Sequence, residues 1–325
     1  MNETPAGPII GGAALDSDIH LLEQRLGSFY ARQRLGIEQE HEARIFGQGL
    51  NFFHPENWYA MHSLLGGVLK LSGLWWRGRK NAQDIQVRLN PLSSSALPPA
   101  FSGFRILQLS DLHADTNADA MQRVSQLVGG LQYDLCVLTG DYRGRTAGDY
   151  QAALTGVSQL RQQLRGDIYA VLGNHDTILM VPGFESVGIR MLLNESVEIA
   201  RDSDRIHLVG IDDAHYFRVD NIEKAAAHIP PKAFSILLSH TPEIYRQAAH
   251  AGFNVMLSGH THGGQICLPG PVPITLDARL PRYMGRGAWQ YHGMLGYTSA
   301  GAGTSIVPVR FNCPPEITLH ELQRA

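Results

Sequence analysis

The chain contains 325 residues, of which 44% are hydrophobic and 18% are charged. A chain of this length can bury a large core, either as one large domain or as one domain with an extension. The formal net charge of −3 gives no overall basis for nucleic-acid binding, which usually requires a basic face. The three cysteines are far apart and form neither a disulfide framework nor a CxxC zinc site, which favours a reducing compartment.

The N-terminal part of the chain predicts a helical extension. It begins without the basic and long apolar regions of a secretion signal, so we expect a cytoplasmic protein. Residues 1–16 are small and Gly-rich, and we expect them to be frayed. Between Asp16 and Leu35 the pattern predicts an amphipathic helix. Its apolar side would contain Leu21, Leu22, Leu26, Phe29 and Tyr30.

The segment from Trp58 to Lys80 contains no acidic residue and has apolar residues at helical spacing. The apolar residues are Met61, Leu64, Leu65, Val68, Leu71 and Trp75, and the basic residues are Lys70, Arg77, Arg79 and Lys80. Its apolar part is shorter than the ~20 residues that a bilayer-spanning helix needs. Two interpretations therefore remain open: an interfacial helix on an anionic membrane, and an accessory helix packed on the following domain.

The Pro- and Ser-rich stretch from Pro91 to Pro99 predicts a linker or a turn. We therefore divide the chain into a helical extension, residues 1–100, and a second domain, residues 101–325. In this second domain, strand-like runs alternate with helical stretches at 117–129, 149–164 and 242–251, which predicts an α/β sheet. The loop 268–291 is long and Pro-rich, and loops of that kind are usually functional or mobile.

Five short hydrophobic runs in this domain each end in residues that can bind a metal. The runs are rich in Leu, Ile and Val, as expected for buried strands that open into loops. The polar ends are Asp111-Leu112-His113, Gly140-Asp141, Gly173-Asn174-His175-Asp176, His240 and Gly259-His260-Thr261-His262. Adjacent strand ends bring ligands to one point, so the ordered set predicts a metal site.

The ordered set resembles the calcineurin-like metallophosphoesterase superfamily, whose signature is D-x-H, G-D, G-N-H-[DE], a lone His and G-H-x-H. The resemblance covers roughly residues 101 to 321. The SDLH, LTGD-Y, LLSHTPE and SGHTHGGQ segments resemble the YaeI-like bacterial branch, which is related to the enzymes that cleave the pyrophosphate of UDP-2,3-diacylglucosamine. The resemblance implies an α/β fold with a two-sheet β-sandwich flanked by helices, here with the helical extension before it.

The resemblance also implies a dinuclear metal centre. The first metal would be bound by Asp111, His113 and His262, and the second by Asn174, His240 and His260. Asp141 would bridge the two metals. His175 would contact the phosphate and assist the leaving oxygen, and Asp176 would orient the His175 imidazole.

The ligand types narrow the choice of metal. Mixed imidazole, carboxylate and amide donors suit Mn, Fe or Zn better than Ca, and we expect two divalent ions, with Mn favoured and Fe or Zn as alternatives. One departure from the family pattern follows the bridging residue, because Gly144 stands where many relatives have an acidic residue or Asn. The neighbouring Arg143 and Arg145 have two open interpretations: bidentate binding of a phosphate, or solvated loop cations.

We therefore expect a phosphodiesterase or pyrophosphatase that acts on a lipid-linked or nucleotide-sugar-lipid substrate. The resemblance implies attack of a metal-bound hydroxide on phosphorus. One alternative is a soluble phosphatase or nucleotide phosphodiesterase. A second is a binding scaffold that lost its activity, although the chain keeps every expected ligand. No nucleic-acid partner is expected, and an interfacial Trp58–Lys80 segment would place the protein peripherally on the inner membrane face.

Overall fold

The computed structural model describes residues 12–46, 66–305 and 307–325. Two six-stranded sheets form its centre, and β10 (Cys267–Leu268) pairs with β11 (Val272–Pro273) in a separate two-stranded sheet. In spatial order, the first sheet contains β1 (Gln86–Ser94), β14 (Glu316–Arg324), β2 (Arg105–Leu109), β3 (Leu135–Thr139), β4 (Ile168–Val171) and β5 (Arg190–Met191). The second contains β12 (Gly287–Tyr291), β13 (Met294–Thr298), β9 (Val255–Ser258), β8 (Ser235–Leu238), β7 (Asp204–Gly210) and β6 (Glu195–Arg201).

The strands that precede the five polar motifs are central and parallel. β2, β3 and β4 pair in parallel in the first sheet, and β8 pairs in parallel with β9 in the second. Parallel neighbours end at the same edge, so their loops emerge together. The two-sheet α/β fold implied by the sequence is confirmed.

The hydrophobic core has layers on both faces of the first sheet. In β3, Leu135 and Val137 face the second sheet, whereas Cys136 and Leu138 face the helical layer. This alternation follows the two-residue period of a strand. Because both faces are covered, every residue of the strand is buried, which explains its continuous hydrophobic sequence.

Helices flank this sandwich. They are α1 (Gly12–Leu26), α2 (Ser28–Phe46), α3 (Leu74–Asn81), α4 (Ala118–Gly129), α5 (Gln151–Arg161), α6 (Val181–Ser186), α7 (Ile222–Ala226) and α8 (Tyr245–Ala251). The three helical stretches of the second domain correspond to α4, α5 and α8, the last preceded by a 3₁₀ turn at Pro242–Ile244. The helix α4 begins after Asn117, whose side chain accepts the Ala120 amide proton.

The first predicted helix requires a correction. Instead of one helix, the chain forms α1 and α2, separated at Gly27, which has a φ of +88°. Leu22 is fully buried, as predicted, but Leu21 is 47% exposed and Phe29 is 94% exposed. Because the helix is broken at Gly27, the prediction of one helix with a single apolar stripe across residues 16–35 was wrong.

The predicted linker also requires a correction. Residues 86–94 form β1, which pairs with β14 along its whole length. Pro91 therefore lies in a strand rather than in a linker, and the predicted turn follows the strand at residues 95–96. Because β1 is an edge strand, the missing N–H of Pro91 is tolerated there. A strand from the expected extension thus belongs to the first sheet, and the division at residue 100 stays a prediction.

The Trp58–Lys80 segment is described from residue 66 onward, so Met61, Leu64 and Leu65 lie outside the described residues. Residues 66–71 are helical, and α3 follows after Gly73, which has a φ of +73°. Leu69 packs against Val307 and Val309, whereas Leu71 is 91% exposed. Among the helices of the described segments, none combines the length and hydrophobicity needed to cross a bilayer.

Candidate metal centre

All seven predicted metal ligands lie in loops at the ends of the central strands and are buried: Asp111, His113, Asp141, Asn174, His240, His260 and His262. Two of the loops come from the second sheet and the others from the first. The structure therefore brings the five motifs together between the two sheets. Residues separated by about half of the chain become neighbours, as the sequence pattern predicts.

The first ligand group consists of Asp111, His113 and His262, whose donor atoms lie within 4.8 Å of one another. His262 Nε2 is 3.1 Å from His113 Nε2 and 3.6 Å from Asp111 Oδ1. His113 Nδ1 lies 2.8 Å from the Arg143 carbonyl oxygen and donates to it. This contact fixes the tautomer, so the lone pair of His113 Nε2 faces the group.

The second ligand group consists of Asp141, His240 and His260. His240 Nε2 is 3.2 Å from Asp141 Oδ2, and His240 Nδ1 donates to the Thr139 carbonyl oxygen at 2.8 Å. Asn174 Oδ1 lies 3.0 Å from His240 Nε2 and 2.9 Å from His260 Nδ1, so its amide oxygen belongs to the same group.

The remaining nitrogen of His260 is held by the long Pro-rich loop. His260 Nε2 donates to the carbonyl oxygen of Asp277 at 2.6 Å, which leaves Nδ1 directed at the second group. A third possible group, formed by His215, His260 and Asp277, shares this histidine. The Asp277 contact was not predicted from the sequence, because it is made by a backbone oxygen, which no side-chain motif encodes.

The ligand loops turn sharply. Asp111, His113, Asp141, His260 and His262 all have positive φ values, between 41° and 69°. Such conformations cost about 1–3 kcal/mol each in residues other than glycine, and they concentrate at functional sites. Gly140 adopts a φ of +89° immediately before Asp141, and a side chain there would collide with His240 Nδ1. The backbone is therefore bent to direct the ligands inward.

The electrostatics of the second group suit a cation. Burial lowers the pKa of His240, but the adjacent Asp141 carboxylate outweighs it and raises the pKa to about 10. Burial correspondingly raises the pKa of Asp141, but His240 holds it well below its usual range. A proton on His240 thus balances the carboxylate, and a metal ion would take over that charge when the imidazole loses its proton.

The other ligands follow the same logic. Burial lowers the pKa of His260 and of His262 well below the usual histidine range, which keeps both imidazoles neutral and able to bind a metal. Burial raises the pKa of Asp111, and the negative charge of Asp141 raises it further. Two buried carboxylates surrounded by imidazole and amide donors fit divalent ions of the Mn, Fe and Zn type.

His175 lies beside both groups rather than inside either. Its Nε2 is 4.0 Å from Asp141 Oδ2, and its ring is edge-on to His113. Burial lowers the pKa of His175 to about 4. His175 lines a cavity of about 270 Å³ together with Asp141 and His260 of the second group and His262 of the first. A substrate in this cavity would reach both groups and His175 together.

The Asp176 carboxylate accepts hydrogen bonds from three backbone amides of the site loops. Its Oδ2 accepts backbone N–H groups of Asp141 and Gly173 at 2.8 Å, and its Oδ1 accepts the Tyr142 N–H at 2.8 Å. The carboxylate therefore joins the GD and GNHD loops through their backbones. The expected role of Asp176 in orienting the His175 imidazole stays a prediction beside this bracing role.

The two loop arginines, Arg143 and Arg145, differ in burial. The buried Arg143 guanidinium donates to carbonyl oxygens of His175, Thr146 and Gly148. Three of its five N–H groups are thus committed to the protein backbone, and its burial contradicts the solvated-cation interpretation. These contacts favour a structural role over phosphate binding. Arg145 is exposed.

Two further residues near the site gave no signal in the sequence. Arg310 is fully buried, and its Nη2 lies 3.2 Å from His262 Nδ1 while donating to the Ala300 carbonyl oxygen at 2.7 Å. Glu243 accepts from His215 Nδ1 at 2.7 Å and from the Arg279 amide at 2.6 Å. Glu243 therefore ties the long Pro-rich loop to the loop after β8.

Comparison with known proteins agrees with this geometry. Residues 104–264 match the calcineurin-like phosphoesterase family model. The chain is 29% identical to the uncharacterized metallophosphoesterase YkoQ of Bacillus subtilis, over 76% of this chain and 94% of the relative. It is also 29% identical to YkuE of the same organism, over 80% and 94%.

A relative with a named activity is the phosphodiesterase YaeI of Escherichia coli, which is 29% identical over 73% of this chain and 87% of its own length. This similarity agrees with the YaeI-like branch inferred from the motifs. The matched region contains all five polar motifs, and the structure assembles them into two ligand groups. Residues 104–264 form a calcineurin-like phosphoesterase domain, and the protein is a metal-dependent phosphoric ester hydrolase.

Proposed function

We propose that the protein is a dinuclear phosphodiesterase whose two divalent ions are manganese in the native enzyme. The observation that carries the proposal is the single cavity lined by members of both ligand groups and by His175. Asp141 would bridge the ions, because it belongs to the second group and also acts electrostatically on Asp111 of the first. The seven buried ligands would hold the ions as the sequence implies.

When bound, the two cations would neutralise phosphoryl oxygens and acidify a water molecule for attack on phosphorus. His175 would contact the phosphate and donate a hydrogen bond to the leaving oxygen, since burial keeps its imidazole neutral. The Asp176 carboxylate would hold the Asp141 and Gly173 loops together during this step.

The cavity also favours an amphiphilic diester. Beyond the polar groups, its wall contains the apolar side chains of Ile266, Ile274 and Val307. A diester carries a second substituent on phosphorus, and an apolar substituent would lie against this wall. We therefore propose a lipid-linked or nucleotide-sugar-lipid phosphodiester or pyrophosphate as the substrate class. The named activity of the YaeI relative is consistent with diester cleavage.

An exposed apolar surface adjoins this wall, which supports membrane contact. Leu69 packs on Val307, a cavity residue, while Leu71 and Trp76 of the same segment are 91% and 75% exposed. The segment is basic, with Lys70, Arg77, Arg79 and Lys80. Exposed Trp and Leu beside lysine and arginine suit the interface of an anionic membrane. We propose peripheral binding there, which would bring the cavity close to lipid substrates.

The first test is hydrolysis of bis-p-nitrophenyl phosphate against p-nitrophenyl phosphate, with Mn²⁺ or with a chelator. Preferential, metal-dependent cleavage of the diester supports the proposal. Preference for the monoester favours the soluble phosphatase instead, and inactivity towards both compounds and towards lipid diesters favours the binding scaffold.

Membrane contact is tested separately by sedimentation with vesicles of phosphatidylglycerol and phosphatidylcholine. Trp76→Ala should reduce binding, whereas Phe29→Ala, which removes a 94% exposed aromatic from α2, should not. Equal binding by both variants would remove the proposed role of the Trp76 surface. Cleavage of the small diester should be unchanged in both variants.

A further inference from the structure

The helix α2 contacts the loop that carries Asn174 and His175, although α2 lies outside the family-matched region. Glu38 on α2 makes the contact. Its Oε2 accepts from the Thr177 hydroxyl at 2.5 Å, and its Oε1 accepts from the Ile178 amide at 2.8 Å. Both partners directly follow the GNHD motif, so the carboxylate holds the loop immediately after the residues predicted to act in the site.

Arg34 of α2 holds the Glu38 carboxylate in place. Its side chain is completely buried, and Nη1 forms an ion pair with Glu38 Oε1 at 2.6 Å. Its Nε forms a second ion pair with Asp212 Oδ2 at 3.0 Å, and its guanidinium lies 3.7 Å from the centre of the Phe217 ring. A buried arginine held by two carboxylates and an aromatic face has little freedom to move.

The same guanidinium also reaches the motif itself. Arg34 Nη2 donates to the carbonyl oxygen of Asp176 at 3.3 Å. The Asp176 side chain meanwhile accepts backbone N–H groups of Gly173 and Asp141 on the inner side. The GNHD loop is therefore held from two directions: inside the site by the Asp176 carboxylate, and outside it by the Arg34–Glu38 pair.

We propose that Glu38, supported by Arg34, is a positioning residue for the second metal group and for His175. It would act through Thr177 and Ile178, by fixing the loop that presents the Asn174 oxygen. Holding a ligand within the narrow tolerance of a metal site is the role that outer hydrogen-bond partners usually fulfil. The inference rests on the proposed metal centre, and it makes the N-terminal helix part of the hydrolytic site.

The competing explanation is that these contacts only attach the N-terminal helices to the rest of the protein. The chain offers a matched control for that explanation in Arg25 of α1. Arg25 forms ion pairs with Glu185 at 3.1 Å and Glu195 at 2.6 Å, and donates to the Met191 carbonyl oxygen at 3.1 Å. It attaches the same helical unit through residues outside the GNHD loop.

The experiment compares Glu38→Ala and Glu38→Gln with Arg25→Ala. Hydrogen exchange in the metal-free protein gives the first readout, because Ile178 N–H donates to Glu38. Protection of that amide should fall in both Glu38 variants and stay at the wild-type level in Arg25→Ala. The Gln variant keeps the side-chain volume, so a loss of protection there reports on the missing charge.

Metal content and kinetics give the second and third readouts. At limiting Mn²⁺, the Glu38 variants should retain one ion tightly and bind the other about 10–100-fold more weakly. Their kcat for the small diester should fall by a similar factor while KM changes less than about threefold. Arg25→Ala should lower thermal stability and leave metal content and kcat unchanged.

The inference is overturned if Glu38→Ala and Arg25→Ala behave alike in amide protection and metal binding. It is also overturned if Glu38→Ala binds two ions as tightly as the wild type. Failure of the phosphodiesterase proposal would look different, because the wild-type protein would then lack diester cleavage while the exchange and metal-binding differences persisted.

Discussion

The substitution Gly173→Ala should displace Asp141, the proposed bridging ligand. A Cβ atom at Gly173 would lie 2.2 Å from Asp141 Oδ1 and 2.5 Å from the Asp141 backbone nitrogen. Because real Cβ contacts essentially never fall below 3.0 Å, the carboxylate must retreat by at least 0.8 Å, the difference between 3.0 and 2.2. Metal–ligand distances tolerate only about 0.2 Å. The backbone contact prevents a simple side-chain rotation from relieving the collision.

Two effects should follow from this collision. Overpacking at a buried position should lower the free energy of unfolding by about 1–3 kcal/mol, measured by urea denaturation in the presence of a chelator. Manganese affinity should fall by at least the roughly 10–100-fold that follows changes around metal ligands, measured as metal content after dialysis against limiting Mn²⁺. Metal content thus reports on the displaced carboxylate, and urea denaturation reports on the strain.

The control is Gly129→Ala, which makes the same chemical change at the last residue of α4. No described heavy atom lies within 4 Å of the Cβ position there. Because alanine favours helix over glycine, stability should stay equal or rise by up to about 1 kcal/mol. The reasoning would be refuted if Gly173→Ala unfolded at the wild-type urea concentration and bound two Mn²⁺ ions with wild-type affinity.

Three other predictions test the site. His175→Ala should lower kcat by about 10²–10⁴-fold and leave metal content intact, and loss of both metals would contradict its place outside the ligand groups. Arg143→Ala should lower the free energy of unfolding by roughly 3 kcal/mol, because three carbonyl oxygens lose hydrogen bonds from a charged guanidinium. Arg145→Ala, at an exposed position, should change it little. Equal stability of these two variants would argue against a structural role for Arg143. Relative to Mn²⁺ at 100 times its dissociation constant, chelation should lower the wild-type free energy of unfolding by about 2.7 kcal/mol for each of the two ions, and an unchanged denaturation curve would contradict metal binding by the native state.

The metal ligands could be predicted because their positions follow from local sequence. Asp111, Asp141 and His240 each come two residues after the end of a short buried strand, and parallel strands end at one edge. No knowledge of long-range packing is needed to expect that such residues converge. The helices α4, α5 and α8 were predictable for the same reason, since their apolar spacing is local.

Other features depend on contacts that have no sequence signature. Glu38 and Arg34 meet the GNHD loop across about 140 residues of chain, and both resemble ordinary charged residues of an exposed helix. The Asp277 contribution to the site is a backbone oxygen, which any residue could supply. Pro91 and its serine neighbours suggested a linker, because turn-forming residues dominate the local pattern even where edge pairing with β14 forms a strand.

The most direct test of the proposed dinuclear centre is anomalous diffraction from crystals grown with Mn²⁺. Two manganese peaks about 3.5–4 Å apart are expected, with Asp141 in contact with both. One peak should be bound by Asp111, His113 and His262, and the other by Asn174, His240 and His260. A single peak, or a second peak bound by His215 and Asp277 instead, would contradict the dinuclear centre from which the proposed hydrolysis follows.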